Sequence, residues 1–550
     1  MTGYVLRRSA VPLGVLAALL AAGGGVLVWF GAPLWAPVVL AVLVVSAQYA
    51  LAPYLVQWLI PARRVEWLGD RYDTLHPVGE LVVRRCREAG VRPVRLGIVD
   101  DRTPNAFTFG HTRGNARIYL TRGLLERLDE RELDAVVSHE VGHVKQNDVL
   151  VMAIASTVPI ILYYLFLFFR SDRNANNAIP AVVGFVGYLL SQLVLLSLGR
   201  ARELGADRYS CQVTGDGDAL CSALVAIGYG MGQVDADRAS RAAEATRTKD
   251  KDAQKALAKE ERRHQRTRSI AVLGIADHGQ STTILAARER GLDPAEVMGA
   301  LRWDACNPWA RFLQLLSTHP LVVTRIAALE DSGLPGAPQG WSARAVADSC
   351  DGPELTRARR RFWFELPVRY LPFIALLVGL VAWGRHDWLL LAQAATVGGA
   401  ALLARTALTR PLWRHVPVAR VAQLLTRLDV GPVSGLPVEV RGRVIGRGVP
   451  GYVLSPDLVV QDDSGFVPVL YQQPWPFARS VFGLLRVPEL MDTDVVVRGW
   501  YRRSPAPVLE LRDLVPDRGA RVRGFQWATA YAVSLALLVA GAVAWTQLAG

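Results

Sequence analysis

Residues 129–146 read Asp-Glu-Arg-Glu-Leu-Asp-Ala-Val-Val-Ser-His-Glu-Val-Gly-His-Val-Lys-Gln, and they carry both a helix signal and a chemical one. Asp129, with Glu132 three residues on, resembles a capping box. Leu133, Val136 and Val137 give the helix it opens an apolar face that runs into His139. His139 and His143 stand four apart, so a helix places both imidazoles on one face, where they can reach one metal ion. Glu140 is rotated by about 100° from His139, which sets it beside the metal instead of on it. There it can serve as general base for an attacking water, the chemistry that the spacing H-E-x-x-H carries. A chance match in a chain of this length and composition is on the order of one per cent. Two ordinary helical histidines would be the plainer account if the motif stood alone.

It has company further along the chain. A catalytic zinc site takes three protein ligands and keeps a position open for water. Past two uncharged runs, 149–169 and 174–199, the chain reads Arg202-Glu203-Leu204-Gly205-Ala206-Asp207. Glu203 and Asp207 are again four apart, so one can bind the metal while the other supports a ligand. An even number of membrane crossings between His143 and Glu203 returns both to one membrane face; an odd number would forbid the site. Upstream, 65–90 reads as a helix and 94–99 as a strand. Pro104 and Asn105 turn the chain into 107–109, and turn residues from 110 to 115 precede a strand over 116–120.

The uncharged runs set the environment. Residues 9–61 contain no charge, and further uncharged runs cover 370–384, 388–404 and 524–550. A span needs about 20 apolar residues, so the first run reads as two spans broken near 31–33, which makes seven candidates in all. The two around Gly384 are short. Arg7 and Arg8 before an apolar stretch suit a signal peptide, but its length and the second span favour a retained anchor. The net charge of +13 follows the positive-inside rule. With an N-in start, the Arg clusters at 7–8, 63–64, 200–202, 359–361, 405–414 and 518–523 all fall on the cytosolic side; the turn at 170–177 is the exception. Charge is therefore not read as nucleic-acid binding. The five cysteines (Cys86, Cys211, Cys221, Cys306, Cys350) are odd in number and lack CxxC spacing, which predicts free thiols in a reducing compartment. Residues 235–268, rich in Ala, Lys, Arg and Glu, read as a solvated helix or loop.

Pro104-Asn105-Ala106-Phe107, Gly123-Leu124-Leu125, the His139–His143 motif, Asp148, the Glu203 and Asp207 pair, and Ser317-Thr318-His319-Pro320 with Arg325-Ile326 occur in that order. Over roughly residues 60–330 the chain resembles the integral-membrane gluzincin peptidases, which include HtpX and the CAAX prenyl endopeptidases. The resemblance implies one Zn²⁺ per chain held by His139, His143 and Glu203, with Glu140 as catalytic base and Asp207 supporting His139. It implies His319 and Arg325 at the active site, His319 stabilising the oxyanion. It also implies substrate binding around Asn105 and Phe107, where an extended peptide would add to the edge of the 107–120 hairpin. HtpX-like proteins usually end soon after this core. Here two more spans, a third soluble segment and a last span follow, so the resemblance does not extend to the substrate.

That third segment is patterned as five short strands, at 438–445, 458–461, 466–471, 495–501 and 508–511, in the order of an OB-like barrel. Arg441, Arg443, Arg447, Arg498, Arg502 and Arg503 beside Trp500 and Tyr501 would suit single-stranded nucleic acid, yet a tether between two spans favours a scaffold or lipid-facing role. The expected fold class is a multi-pass α-helical membrane protein: a mainly helical gluzincin peptidase core with a small β-sheet, plus a C-terminal OB-like β-barrel. Its expected parts are two spans over 1–61, a metallopeptidase region over 62–366 with two spans inserted at about 149–199, two spans over 367–409, the barrel over 410–522 and a last span over 523–550. The expected activity is a metalloendopeptidase of the cell membrane, acting on membrane-associated or misfolded proteins at the cytosolic face, with peptide substrates and the bilayer as partners. The alternative is a catalytically silent scaffold acting through the barrel. A transporter would need charged residues inside several spans, and the runs contain none.

Overall fold

A computed structural model of the chain describes residues 11–20, 22, 35–60, 62–64, 67–68, 71–72, 77–171, 178–228, 298–299, 301–350, 352–413, 415–447, 456–504 and 506–549. The expectations for residues 7–8, for the break near 31–33 and for the loop at 235–268 lie outside them. Among the described residues six helices are long and apolar enough to cross a membrane, and a shorter apolar helix, Val11–Leu20, lies within the first uncharged run. The chain divides into two units. The first comprises residues 1–231, 262–277 and 312–343, and the second the remainder.

In the first unit the apolar helix Trp35–Leu59 (α1) leads into Ala62–Arg64 (β1), Pro77–Ala89 (α2), Arg95–Val99 (β2), Ala106–Phe109 (β3) and Arg117–Thr121 (β4). The helix expected over 65–90 begins only at Pro77, whose fixed φ suits a first turn; ahead of it Trp67–Leu68 and Arg71–Tyr72 pair as a short antiparallel ribbon. The sheet order is β1-β2-β4-β3, with β2 and β4 parallel and the other pairs antiparallel. That order leaves β3 at an edge. Phe107, Phe109 and Tyr119 fill one face of the sheet and pack on Val56 and Ile60 at the end of α1.

The capping box forms as expected: Asp129 accepts from the Glu132 amide and Glu132 reaches back to Asp129, opening Glu130–Gln146 (α3). Asn147, in the left-handed region at φ 54°, ends it. The next apolar run is two helices, Asp148–Ala155 (α4) and Thr157–Ser171 (α5). Ala178–Thr214 (α6) has 37 residues, or about 55 Å at 1.5 Å per residue. It outruns a hydrocarbon core of about 30 Å, and its last turns carry Glu203 and Asp207 back to α3. Val322–Glu330 (α7) completes the unit.

Among the described residues of the second unit, the first long helices are Gly352–Gly384 (α8) and Trp388–Thr409 (α9). The two spans that look short in sequence are thus parts of helices of 33 and 22 residues, because the charged residues that end an uncharged run do not end the helix. Five strands follow: Leu436–Arg447 (β5), Leu458–Asp462 (β6), Gly465–Leu470 (β7), Asp494–Ser504 (β8) and Ala506–Pro516 (β9), with helix Pro476–Leu485 (α10) between β7 and β8. They run β5-β6-β7-β9-β8, and β8 pairs with β5 to close the barrel. The β7–β9 pair is parallel and the rest antiparallel. This is the five-stranded Greek-key order of an OB barrel. Gln526–Ala549 (α11) ends the described chain. A Cβ on Gly399 would lie 2.4 Å from the Leu538 nitrogen and one on Gly541 2.5 Å from the Thr396 nitrogen, so two glycines let α9 and α11 meet backbone to backbone.

The expectation for the cysteines is corrected. Cys306 and Cys350 form a disulfide, with Cα atoms 6.7 Å apart, whereas Cys86, Cys211 and Cys221 are free and buried. A pair 44 residues apart is brought together by tertiary packing, which spacing alone does not reveal. Several of the barrel residues that would suit nucleic acid lie inside it or in ion pairs. Trp500 and Tyr501 are wholly buried, as is Arg503, whose guanidinium lies against Trp303 and Asp304. Arg498 and Arg441 both pair with Glu439, Arg502 pairs with Glu510 and Arg443 with Asp494. A stacking platform needs exposed rings, and these two rings are inside.

Candidate metal centre

Helices α3 and α6 meet at Gly142, where an added Cβ would lie 3.0 Å from a Tyr209 ring carbon and 3.3 Å from the Ala206 Cα. This close approach brings His139, His143 and Glu203 together. Each histidine is oriented through its Nδ1. The His139 Nδ1 lies 2.9 Å from Asp207 Oδ1, and the His143 Nδ1 lies 2.6 Å from Asp148 Oδ2. Both Nε2 atoms therefore turn inward, 3.1 Å apart. Glu203 completes the set, with Oε2 3.8 Å from the His139 Nε2 and Oε1 3.5 Å from the His143 Nε2. Four donors about 2.0–2.1 Å from a tetrahedral ion stand about 3.3 Å from one another. The three donors fit that spacing, and two imidazoles with one carboxylate are a zinc-type set that leaves one position open.

The supports are themselves anchored. Arg325, buried on α7, donates from Nε to Asp207 Oδ2 at 2.8 Å and from Nη2 to Oδ1 at 2.5 Å. Burial works against its charge, but Asp207 and Glu203 more than reverse this, so its pKa is raised. Arg202 pairs with Asp148 and donates to the Gln146 carbonyl at 2.6 Å, closing the C-terminal end of α3. The His319 Nδ1 lies 3.4 Å from Glu203 Oε2. Its loop is tied down by Arg200, which donates to the Ser317 and Leu315 carbonyls at 2.7 and 3.2 Å.

Glu140 stands next to the three donors with its Oε2 accepting from the Thr108 hydroxyl at 2.6 Å. A cavity of about 420 Å³ joins Thr108, Glu140, the His139–His143–Glu203 set and His319, and Val149, Met152, Leu195 and Leu196 supply an apolar wall. The structure thus brings His139, Glu140, His143, Glu203, Asp207, His319 and Arg325 to one place. Asn105 and Phe107 do not join them. Asn105 is buried, its side chain accepting from the Ala106 amide, and Phe107 lies in the core beneath the sheet. Sequence reasoning missed Thr108, Arg200 and Arg202, and gave Asp148 no role. The alternation of a strand held the signal for Thr108, since Phe107 and Phe109 facing the core leave it facing the other way.

The comparisons with known proteins follow from the same residues. The model of peptidase family M48 matches residues 72–332. A "Protease HtpX homolog" of Methanothermobacter thermautotrophicus is 36% identical over 184 residues, which is 33% of this chain and 68% of the relative. Another from Moorella thermoacetica is 34% identical over 208 residues, 36% of this chain and 68% of the relative. A third, "Protease HtpX homolog 1" of Streptomyces coelicolor, is 35% identical over 200 residues, 34% of this chain and 64% of the relative. The crystal structure of S. mikatae Ste24p covers 40% of this chain and 57% of its own at 18% identity, with a TM-score of 0.28. Two protease homologues matched over two thirds of their length, with the family model spanning the residues that build the centre, place the chain in peptidase family M48, as a multi-pass membrane metallopeptidase.

Proposed function

We propose that the chain is a zinc-dependent endopeptidase that hydrolyses peptide bonds of membrane-associated or misfolded proteins at the cytosolic face of the cell membrane. The observation that carries this reading is the convergence of His139 Nε2, His143 Nε2 and Glu203 on the spacing of one tetrahedral ion, with Glu140 beside them in a cavity. His139, His143 and Glu203 would hold the zinc. Bound there, it supplies a Lewis acid that acidifies water and polarises a carbonyl. Glu140, oriented by Thr108, takes the proton of the attacking water and delivers it to the leaving amine. His319 donates to the oxygen that gains charge as the carbonyl is attacked. Asp207 and Asp148 fix the histidine tautomers, and Arg325 holds Asp207. The edge of β3, which carries Thr108 and has no partner strand among the described residues, accepts the substrate backbone as an added strand and lays it across Glu140.

In this reading residues 62–366 form the peptidase region and residues 410–522 a barrel domain with a scaffolding or recruiting role. The apolar wall given by α4 and α6 suits substrates that arrive at or in the membrane. The test is metal content against cleavage of unfolded casein. Purified enzyme should carry one zinc per chain, lose zinc and cleavage together under a chelator, and regain both on adding zinc; cleavage that survives complete metal removal contradicts the proposal.

A further inference from the structure

The barrel carries one helix whose outer face does not suit water. Helix α10 buries Phe482, which stacks on Tyr471 at 3.9 Å between ring centres, and thereby fixes its inner face on the barrel. Its outer face repeats apolar residues at Phe477, Val481, Leu484 and Leu485, the i, i+4, i+7, i+8 pattern of an apolar stripe. Phe477 is 79% exposed, Leu485 59% and Leu484 46%, and Trp475 just ahead of the helix is 74% exposed. A helix of a water-soluble barrel would put polar residues there.

What covers this stripe is indicated by where the helix is tied. The Gln473 side chain, two residues before Trp475, donates to the Arg523 carbonyl at 2.7 Å. At the other end Arg486 donates to the Ala520 carbonyl at 3.4 Å. Both acceptors belong to the segment that leads into α11, a helix long and apolar enough to span. Phe525, one residue before α11, is itself 52% exposed. The same segment carries exposed Arg518, Arg521 and Arg523. Trp413, four residues past the end of α9, and Trp527, in the first turn of α11, flank the Arg512 guanidinium. Tryptophans and arginines gathered at span ends mark the headgroup layer. We infer that α10 is an interfacial helix: Trp475, Phe477, Leu484 and Leu485 lie in the headgroup layer around α11, so that the barrel is seated on the lipid surface in addition to being tethered to it. An apolar stripe beside basic residues is the composition that such helices use.

The experiment uses the full chain, one copy per nanodisc of phosphatidylcholine with phosphatidylglycerol, carrying a bimane label at Leu484→Cys; unsubstituted protein treated in parallel corrects for labelling of native cysteines. Brominated lipid should quench the label severalfold more than it quenches bimane at Arg441→Cys on an exposed part of the barrel, and aqueous iodide should do the reverse. Iodide quenching at 484 equal to that at 441 overturns the inference, because the stripe then faces water. Protection at 484 from both quenchers also overturns it, because protein then covers the stripe. A second label at Phe477→Cys guards against one misfolded variant, and it must show the same lipid quenching as 484.

Discussion

Arg325, Asp207 and His139 form one buried chain that ends on the metal centre, and His143, Asp148 and Arg202 form a second. Replacing Arg325 by Met leaves the Asp207 carboxylate buried without its counter-charge, a change that costs about 3–5 kcal/mol; the variant should melt earlier and bind less zinc although no ligand has changed. Asp148→Asn is milder. It should keep the fold and weaken zinc binding by about 10–100-fold, as read by competition with a chromogenic chelator. The grouping of the candidate metal donors was legible because helical spacing turns a sequence interval into a direction: His139 and His143 share a face and Glu140 does not. The Asp148 contact was not legible as a role. It lies five residues from His143 across the left-handed Asn147, so no helical periodicity connects the two. Asn105 and Phe107 lie away from the cavity, and the alternation of the strand Ala106–Phe109 turns Thr108 toward Glu140 instead.

Elements position these residues by how closely they approach. Gly142 is the clearest case, since its missing side chain sets the distance between α3 and α6. Gly142→Val would force the helices apart, with an overpacking cost of about 1–3 kcal/mol. It should lower zinc affinity and cleavage together while all three ligands stay in the chain, and unchanged zinc affinity would show that the crossing is not what sets the centre. The even count of crossings between His143 and Glu203 was readable from the uncharged runs, and in the structure the two side chains do meet. The lengths of α6 and α8 were not readable that way. Charged residues end an uncharged run but not a helix, so α6 continues through Arg200–Asp207 and brings Glu203 to the histidines.

At the scale of the whole molecule the five barrel strands were legible from alternation and turn residues, and their closure follows from pairing that sequence does not print. The Cys306–Cys350 disulfide was hidden for the same reason. Nearby Asp304, buried and 3.6 Å from Arg503, is pushed up to about 6 by burial against the pull of that guanidinium. The folded chain thus holds this proton more tightly than the unfolded one. The stability it contributes is complete below about pH 4 and is lost as the pH rises to about 6, by about 2–3 kcal/mol. Asp304→Asn removes that slope, so its melting temperature relative to wild type should rise across this window and then level off. The most direct test of the central claim compares wild type with Glu140→Gln, in detergent, for zinc content and cleavage of unfolded casein. The account predicts one zinc in both proteins and cleavage only in wild type; equal cleavage by the two, or no zinc in wild type, would contradict it.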